Sequence, residues 1–337
     1  MFNYRVSCLI VALFGLFLTG CLDKSQKPKL RPVESEWRYF GQAFPGAQPE
    51  IFSPDIISTN RDERDFTMSP TGNEIFYTWV LPAKNLSVIV YLVHDGAFWS
   101  QPKAAPFSGQ YSDLEPAFST DGNKLFFASK RPLNSEDTTN DWNIWYVERV
   151  TTGWSDPIAL NPMINTENDE FYPSVAQNGN LYFTAKRDDS FGHEDLYFSE
   201  FDENKYNSPV NLGDSINTSL YEFNAYIAPD ESYLIFSSWG RKDGFGGGDL
   251  YISFRSKNGV WNKTRNLGAN INSKQLDYCP VVTVDGKYLI FTSQKMKATL
   301  QNNTQRSLET LLGLADDIEN GLGNIYWVEF KNQVLNN

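Results

Sequence analysis

The sequence predicts an all-β protein, a single β-propeller of five four-stranded blades, and three observations carry this prediction. Aromatic residues make up 15% of the 337-residue chain, and aromatic side chains are enriched in strands. A segment of two apolar runs joined by a turn recurs five times along the chain. Each recurrence opens a unit of about 50 residues, which is the length of a propeller blade.

The recurring segment has the pattern of a β-hairpin. Its apolar runs alternate with polar residues, and glycine marks the turn in four copies, whereas Glu231 takes that place in the fourth copy. The copies are ERDFTMSPTGNEIFYT (63–78), DLEPAFSTDGNKLFFAS (113–129), EFYPSVAQNGNLYFTA (170–185), EFNAYIAPDESYLIFSS (222–238) and DYCPVVTVDGKYLIFTS (277–293). These hairpins supply the first two strands of each predicted blade.

A third apolar run follows every hairpin, and a fourth follows in four of the five units. The third runs are VIVYLV, NIWYVE, DLYFSE, DLYISF and NIYWVE. A four-stranded sheet cannot bury both faces alone, whereas blades arranged around an axis bury each face against a neighbour. The repeats therefore predict a closed ring.

The fifth unit ends without a fourth strand. Residues 46–59 resemble the end of the other units, such as NSPVNLGDSINT (207–218). We therefore expect this N-terminal segment to join the last blade as its outer strand, which removes an open sheet edge. Six blades remain the alternative to five, because the number depends on this pairing.

The fifth unit also carries an insertion, residues 294–323, between its second and third strands. Within it, Leu308, Leu311, Leu312 and Ala315 have helical spacing. A surface excursion is one interpretation. A lid or a docking element on one face of the ring is the other.

The N-terminus has the pattern of a secretory signal segment over residues 1–20. Arg5 precedes an apolar run that is shorter than the roughly 20 residues a membrane-spanning helix needs. The run ends in LTGC, which resembles the lipobox of bacterial lipoproteins. This resemblance implies cleavage before Cys21 and acylation of its thiol. Residues 21–38 are then a flexible tether, and residues 39–337 form the propeller.

Position 22 is leucine and not aspartate. In enterobacterial sorting this resembles an outer-membrane destination, and the periplasmic and outer faces both remain open. The predicted location is therefore the bacterial cell envelope, with membrane attachment through lipid on Cys21.

Charge and cysteine content narrow the functional class. The net charge is −12 without a basic patch, which disfavours nucleic-acid binding and indicates solubility. The chain has only two histidines, His94 and His193, which disfavours a histidine metal site or a histidine-based catalytic triad. Three cysteines cannot build a disulfide framework. Cys279 lies in an apolar strand, which favours a buried, inert thiol.

The units resemble the TolB-like propeller repeat of bacterial envelope proteins, a relative of WD-type repeats. The matching residues are the STDG and TVDG turns, the LFFASKR and LYFTAKR strands and the GGGDLY segment. The resemblance spans nearly the whole mature chain and implies a propeller in the envelope. TolB itself resembles a six-bladed version, and this chain has five units.

The candidate site is a ring of charges at one mouth of the central channel. Every hairpin opens with an acidic residue, and the first strand of a propeller blade is innermost. These acids are Glu63, Asp113, Glu170, Glu222 and Asp277. Basic residues follow the second strand of four units and share that face because the two strands form a hairpin. They are Lys130, Arg131, Lys186, Arg187, Arg241, Lys242 and Lys295.

Two interpretations of these charges remain open. The pairs are braces that tie strand ends together, since residues repeated in every blade serve the blade. Alternatively, they form a mouth that binds a peptide, a sugar or a cation through the acids and Arg131, Arg187 and Arg241. The first unit has Trp79 in place of a basic residue, so Glu63 and Trp79 break the symmetry.

No catalytic motif stands out, since G-x-S-x-G and H-E-x-x-H are absent from the sequence. Glycoside cleavage by a pair of carboxylates remains an alternative, because aspartate and glutamate are abundant. The acidic loops 134–143 and 187–195 offer oxygen ligands for calcium without EF-hand spacing, and solvated loops are the simpler interpretation. We expect no other metal and no cofactor.

We expect a monomeric, non-catalytic binding platform that presents one face to an envelope protein or to a cell-wall or glycan ligand. A carbohydrate-active enzyme that uses carboxylates at the channel mouth is the alternative. A structural subunit of a larger assembly is a third possibility.

Overall fold

The computed structural model describes residues 37–82, 86–297 and 304–330. In these residues five antiparallel sheets form the blades of a β-propeller, and the first strand of each blade contacts the first strands of two neighbouring blades. The predicted all-β propeller is confirmed, and the described part of the chain forms five blades rather than six. Residues 1–36, which carry the predicted signal segment and Cys21, lie outside the described residues.

Each blade orders its strands as they follow in the chain, from the axis to the rim. Blade 1 contains β2 (Asp62–Met68), β3 (Glu74–Val80), β4 (Ser87–Val93) and β5 (Lys103–Ala104). Blade 2 contains β6 (Asp113–Phe118), β7 (Lys124–Ser129), β8 (Asn143–Val150) and β10 (Ile158–Ala159), with β9 (Gly153–Trp154) paired to β8. Blade 3 contains β11 (Glu170–Val175), β12 (Leu181–Ala185), β13 (Asp195–Ser199) and β16 (Val210–Asn211).

The remaining elements complete the ring. Blade 4 contains β17 (Tyr221–Ile227), β18 (Tyr233–Trp239), β19 (Asp249–Phe254) and β20 (Arg265–Asn266). Blade 5 contains β21 (Asp277–Val282), β22 (Tyr288–Ser293), β23 (Asn324–Glu329) and β1 (Glu50–Ile51). Outside the blades lie a 3-10 turn (Trp37–Tyr39), a small hairpin of β14 (Phe201–Asp202) and β15 (Lys205–Tyr206), and the helix α1 (Leu308–Ala315).

The ring closes through its N-terminal strand, as the sequence predicts. Strand β1 pairs antiparallel with β23, and Glu50 lies opposite Trp327. The Phe52 amide extends this pairing by donating to the Ile325 carbonyl at 2.8 Å. The phenyl ring of Phe52 is fully buried 5.2 Å from the Trp327 ring. The segment therefore contributes hydrogen bonds and core packing to blade 5.

The hairpin turns keep one backbone conformation although one of them lacks glycine. Gly72 and Gly122 have φ values of 75° and 73°, and Glu231 has 57° at the same place in blade 4. This left-handed conformation strains a residue with a side chain. The Glu231 carboxylate offsets that strain, because it accepts hydrogen bonds from Tyr182 at 2.8 Å and from Arg255 at 3.1 Å. It thereby ties blade 4 to blade 3.

The first described residues pack on blade 1. The Trp37 ring lies 4.4 Å from the His94 ring, and the Trp99 indole donates to the Trp37 carbonyl at 2.7 Å. Within the described ranges, no helix combines the length and the apolar character needed to cross a membrane.

Candidate functional site

The five predicted acids are buried, and each binds the turn that precedes its own strand. Glu63, Glu170 and Glu222 each accept two hydrogen bonds from the threonine four residues earlier, through its amide and its hydroxyl. Asp277 accepts from the Ser273 amide, and Asp113 accepts from the Ser108 hydroxyl at 2.8 Å. The acids therefore fix the loops that lead into the first strands.

The predicted basic residues differ in whether they pair with the acids. Three arginines pair with the acids: Arg131 with Asp113 at 2.8 Å, Arg241 with Glu222 at 2.8 Å and Arg187 with Glu170 at 3.6 Å. Burial lowers the pKa of Lys295, and the Asp277 carboxylate opposes that shift. Lys130 instead donates to the Asn140 carbonyl, while Lys186 and Lys242 are exposed.

These arginine pairs lie at strand ends within single blades, which is the geometry of a brace. A binding role for the same residues stays a prediction.

Glu63 and Trp79 lie opposite each other in the register of β2 and β3. Burial raises the pKa of Glu63 to about 7, although its two bonds with Thr59 oppose the shift. The Arg61 guanidinium lies 5.5 Å from the centre of the Trp79 ring. Among the described residues, the Trp79 indole N–H has no hydrogen-bond partner. The structure therefore brings these two symmetry-breaking residues together.

A second cluster, on the channel axis, is not predicted by the sequence analysis. Every first strand has a register shift just after its opening acid, which is the pattern of a β-bulge. One non-glycine residue at each shift has a φ between 47° and 62°. These five residues are Asp65, Glu115, Tyr172, Asn224 and Cys279. All five are buried.

Arg64 joins this axial cluster into one polar network. Its guanidinium lies 2.7 Å from Asp65 and 2.8 Å from Glu115. The Cys279 thiol donates to Asp65 at 2.7 Å, and the Asn224 amide donates to Glu115 at 3.1 Å. Since these residues come from four different blades, and the Tyr172 amide of blade 3 also donates to Glu115, the network links the whole ring at its centre.

Burial controls the protonation of the axial cluster. It raises the pKa of Glu115 to about 8, and Asp65 adds to the shift whereas Arg64 opposes it. Burial also raises the pKa of the Cys279 thiol well above its ordinary value, with Asp65 adding to the shift. A thiol that remains protonated is a poor nucleophile. The chemistry available on the axis is therefore hydrogen bonding and charge pairing.

The free energy of unfolding is expected to decrease as the pH rises from about 5 to about 8. Glu115 has a pKa of about 8 in the folded chain, and Glu63 and Glu170 have about 7, against about 4.3 for an unfolded glutamate. The unfolded chain therefore binds fewer protons than the folded chain in this window, and stability falls with rising pH. Urea unfolding at several pH values measures the slope.

Glu115→Gln is expected to flatten part of that slope, because the neutral amide removes one buried titration. Glu148→Gln, at an exposed glutamate on the outer part of blade 2, is the matched control and is expected to leave the slope unchanged. Stability that rises with pH across this window would contradict the assignment.

Aromatic rings surround the channel mouth on the face where the acids lie. Phe171 and Phe223, each following its blade's opening acid, are half-buried there. The Trp142 ring lies 6.0 Å from Phe171, and the Tyr221 ring lies 5.5 Å from Trp239. Beyond the bulges, a cavity of about 280 Å³, including its part open to solvent, is lined by Glu115, Thr67, Ser174 and Tyr226 among others. Glu115 and Tyr172 of the axial cluster both line this cavity.

The comparisons with known proteins concern the fold. No family model matches the chain. No curated protein matches it either. Several solved structures are similar to this chain. TolB from Acinetobacter baumannii is 14% identical, with a TM-score of 0.45 over 70% of this chain and 49% of that chain. An α-L-arabinofuranosidase from Lactobacillus brevis is 13% identical, with a TM-score of 0.48 over 80% of this chain and 91% of that chain.

This chain thus spans about half the length of the TolB structure. A protein described as of unknown function, from Dyadobacter fermentans, is 12% identical with a TM-score of 0.44 over 74% of this chain and 79% of that chain. The predicted resemblance to TolB-like propellers is confirmed at the level of the fold, which is a propeller in this chain. Identities this low carry no activity from one protein to another.

The predicted calcium loops are held by their own side chains. Asp137 accepts from the Leu133 amide at 2.7 Å, and Asp189 accepts from the Tyr197 hydroxyl at 2.8 Å. In the described parts of the chain, no three histidine, cysteine, aspartate or glutamate side chains gather as metal ligands. Calcium binding at these loops stays a prediction.

Proposed function

We propose that this protein is a lipid-anchored, non-catalytic binding platform of the bacterial cell envelope that holds a partner protein on the channel face. The channel face is the side of the ring on which the five acids lie. The observation that carries this proposal is the exposed apolar surface of α1.

Helix α1 buries none of its eight residues in this chain. Leu308 is 72% exposed and Leu312 is 57% exposed, and Leu311 lies between them on the same helix. An eight-residue helix is marginal on its own in water, and an amphipathic helix is a common element of protein recognition. The leucines therefore fit a complementary apolar surface on another protein.

The insertion holds α1 at a defined place on the ring. Met296 forms a β-bridge with Asn320. The Asn320 amide donates to the Asn60 carbonyl at 3.1 Å, which joins the insertion to the segment before blade 1. The Ser307 hydroxyl caps the helix by accepting from the Thr310 amide at 3.2 Å. A helix presented in this way loses less conformational freedom when it binds.

The state of the predicted acids also supports a platform. Catalysis by two carboxylates needs groups in different environments with oxygens that reach a substrate. The carboxylates of Glu170 and Glu222 are buried and bound by their own threonines and arginines. They are therefore engaged within the fold.

One observation favours the alternative, a carbohydrate-active enzyme. Burial raises the pKa of Glu194, and the neighbouring Asp169 carboxylate adds to this shift. Two carboxylates in unequal environments are what glycoside hydrolysis requires. Hydrolysis of aryl glycosides that is lost in Glu194→Gln would favour the enzyme over the platform.

Substitution of the α1 leucines is expected to abolish partner capture. In intact cells, crosslinking the tagged protein should capture one abundant envelope protein, and Leu308→Ser with Leu312→Ser should reduce that capture at least tenfold. The reason is the loss of an apolar contact area that the chain itself does not cover.

The matched control is Val260→Ser with Val284→Ser. These valines are 62% and 63% exposed and lie in turns on the opposite face of the ring. Capture should not change in this variant. Equal capture by the leucine variant and the parent protein, or no protein above background, would contradict the platform.

A further inference from the structure

Three neighbouring aromatic rings lie on the channel face between blades 3 and 4, the first two stacked and the third tilted by 30°. The His193 ring is 4.4 Å from the Tyr221 ring with 12° between their planes, and the Tyr221 ring is 5.5 Å from the Trp239 ring. Trp239 ends the stack and is 53% exposed. We call these three residues the aromatic stack.

The backbone fixes the position of the aromatic stack. The His193 amide donates to the Leu220 carbonyl, and the Glu222 amide donates to the Glu194 carbonyl, both at 2.9 Å. A Cβ atom at Gly192 would lie 2.2 Å from the Leu220 carbonyl oxygen, so this close approach requires glycine. The loop before β13 is thereby held against the start of β17, and the rings are set before any ligand arrives.

Other rings near this mouth are covered by cations of the same chain. Arg61 lies 5.5 Å from the Trp79 ring centre, Lys130 lies 5.3 Å from Trp142, and Arg64 lies 4.9 Å from Tyr278. Such contacts stabilise a cation over the negative face of an aromatic ring. Within the described ranges, no cation of the chain covers the aromatic stack in this way.

A carboxylate without a counter-charge lies beside the aromatic stack. Glu194 follows His193 directly and forms a β-bridge with Tyr221. Its side chain makes no hydrogen bond and no ion pair with the residues that the structure describes, and the Asp169 carboxylate lies close enough to act on it electrostatically. Lys186, the adjacent residue across the sheet, is exposed and forms no ion pair within the same ranges.

We propose that the aromatic stack and Glu194 bind a lysine or arginine side chain of the partner protein. Trp239 supplies the open ring face, and Glu194 supplies the opposite charge. A long basic side chain can contact both the Trp239 ring and the Glu194 carboxylate, since its methylene groups pack on the ring while its charged end reaches the carboxylate. The net charge of −12 favours the approach of a basic partner surface. This inference rests on the proposed platform function and names the partner chemistry at a second place on the same face.

The test uses the full-length protein in detergent micelles and a tetralysine peptide as the probe. Tetralysine is expected to quench the tryptophan fluorescence and to bind at least tenfold more tightly than the same peptide acetylated on its side-chain amines. Trp239→Ala is expected to weaken binding at least tenfold, and Glu194→Gln about fivefold.

Matched controls lie on the opposite face. Phe98→Ala removes a ring that is 52% exposed between β4 and β5, and Glu200→Gln changes the exposed glutamate at the other end of β13. Neither should alter binding. Equal binding of the acetylated peptide, or loss of binding in the control variants, would overturn the proposal. Quenching by a cell-wall oligosaccharide but not by tetralysine would also overturn it and assign the stack to a glycan.

The two proposals fail separately. If leucine-dependent partner capture persists in Trp239→Ala and tetralysine does not bind, the basic side-chain site is wrong and the platform stands. If tetralysine binds as expected but no protein is captured in cells, the platform is wrong and the site remains.

Discussion

Replacing Arg64 with methionine is expected to lower the free energy of unfolding by about 3–5 kcal/mol, the usual loss when one partner of a buried ion pair is removed. Asp65 is 1% exposed and lies 2.7 Å from the Arg64 guanidinium. Without that cation, Asp65 keeps a buried charge that the Cys279 thiol and the Glu115 amide only partly stabilise. Glu115 is then driven further toward its protonated form.

Urea unfolding of the variant and the parent protein at pH 7 measures this loss. Arg149→Met is the matched control, because Arg149 pairs with Glu74 at the surface and is 36% exposed. That variant should lose less than about 1 kcal/mol. A second substitution tests the cause: Arg64→Met with Asp65→Asn should recover part of the stability, because it removes the unpaired charge. A small effect of Arg64→Met alone would show that water or another group satisfies Asp65.

The blades and their number were predictable because burial in a propeller leaves a strong pattern. Inner strands such as β12 and β22 are buried along their whole length because each blade face packs on a neighbour. Each hairpin must also turn within a few residues, so the pattern of short apolar runs and turns repeats in every blade. Closure by residues 46–59 was predictable for the same reason, since β1 must supply the outer strand that the fifth unit lacks.

The arginine pairs were also predictable from the sequence, and the sequence carries a further signal for the environment of the acids. The acids bind a hydroxyl-bearing residue four positions earlier, as in Thr166 with Glu170 and Thr218 with Glu222. This spacing recurs in the sequence as Thr59 with Glu63 and Ser273 with Asp277. The repeated pairs were therefore a signal that each acid holds its own turn.

The axial cluster left no such signal. Its five positions share a backbone conformation but no residue chemistry: an aspartate, a glutamate, a tyrosine, an asparagine and a cysteine. Alternation predicts which face of a flat strand a residue occupies, and a bulge changes that direction. Because non-glycine residues adopt the strained φ here, residue type does not reveal the bulges. Only the assembled ring shows that Arg64 pairs with two of these side chains.

Phe52→Ala is expected to destabilise the protein by about 3–5 kcal/mol, the range for truncating a fully buried phenylalanine. The ring is 5.1 Å from Phe66 of blade 1 and 5.2 Å from Trp327 of blade 5. It therefore fills the junction at which the ring closes. Thermal or urea unfolding measures the loss, and Phe98→Ala, at a phenylalanine that is 52% exposed, should lose less than about 0.5 kcal/mol.

The strands that lose protection from hydrogen exchange in Phe52→Ala show whether Phe52 stabilises the closure of the ring. Strand β1 is only two residues long, so it depends on the adjacent Phe52 packing to remain paired with β23. Amide hydrogen exchange should therefore accelerate in β1 and β23 of the variant before it does in β13, the third strand of blade 3. Equal acceleration in both third strands would mean that the blades unfold as one unit and that the junction is no weaker than the rest of the ring. Selective acceleration would mean that the N-terminal strand opens first, which makes closure the least stable step in a ring whose other blades are each continuous in the chain.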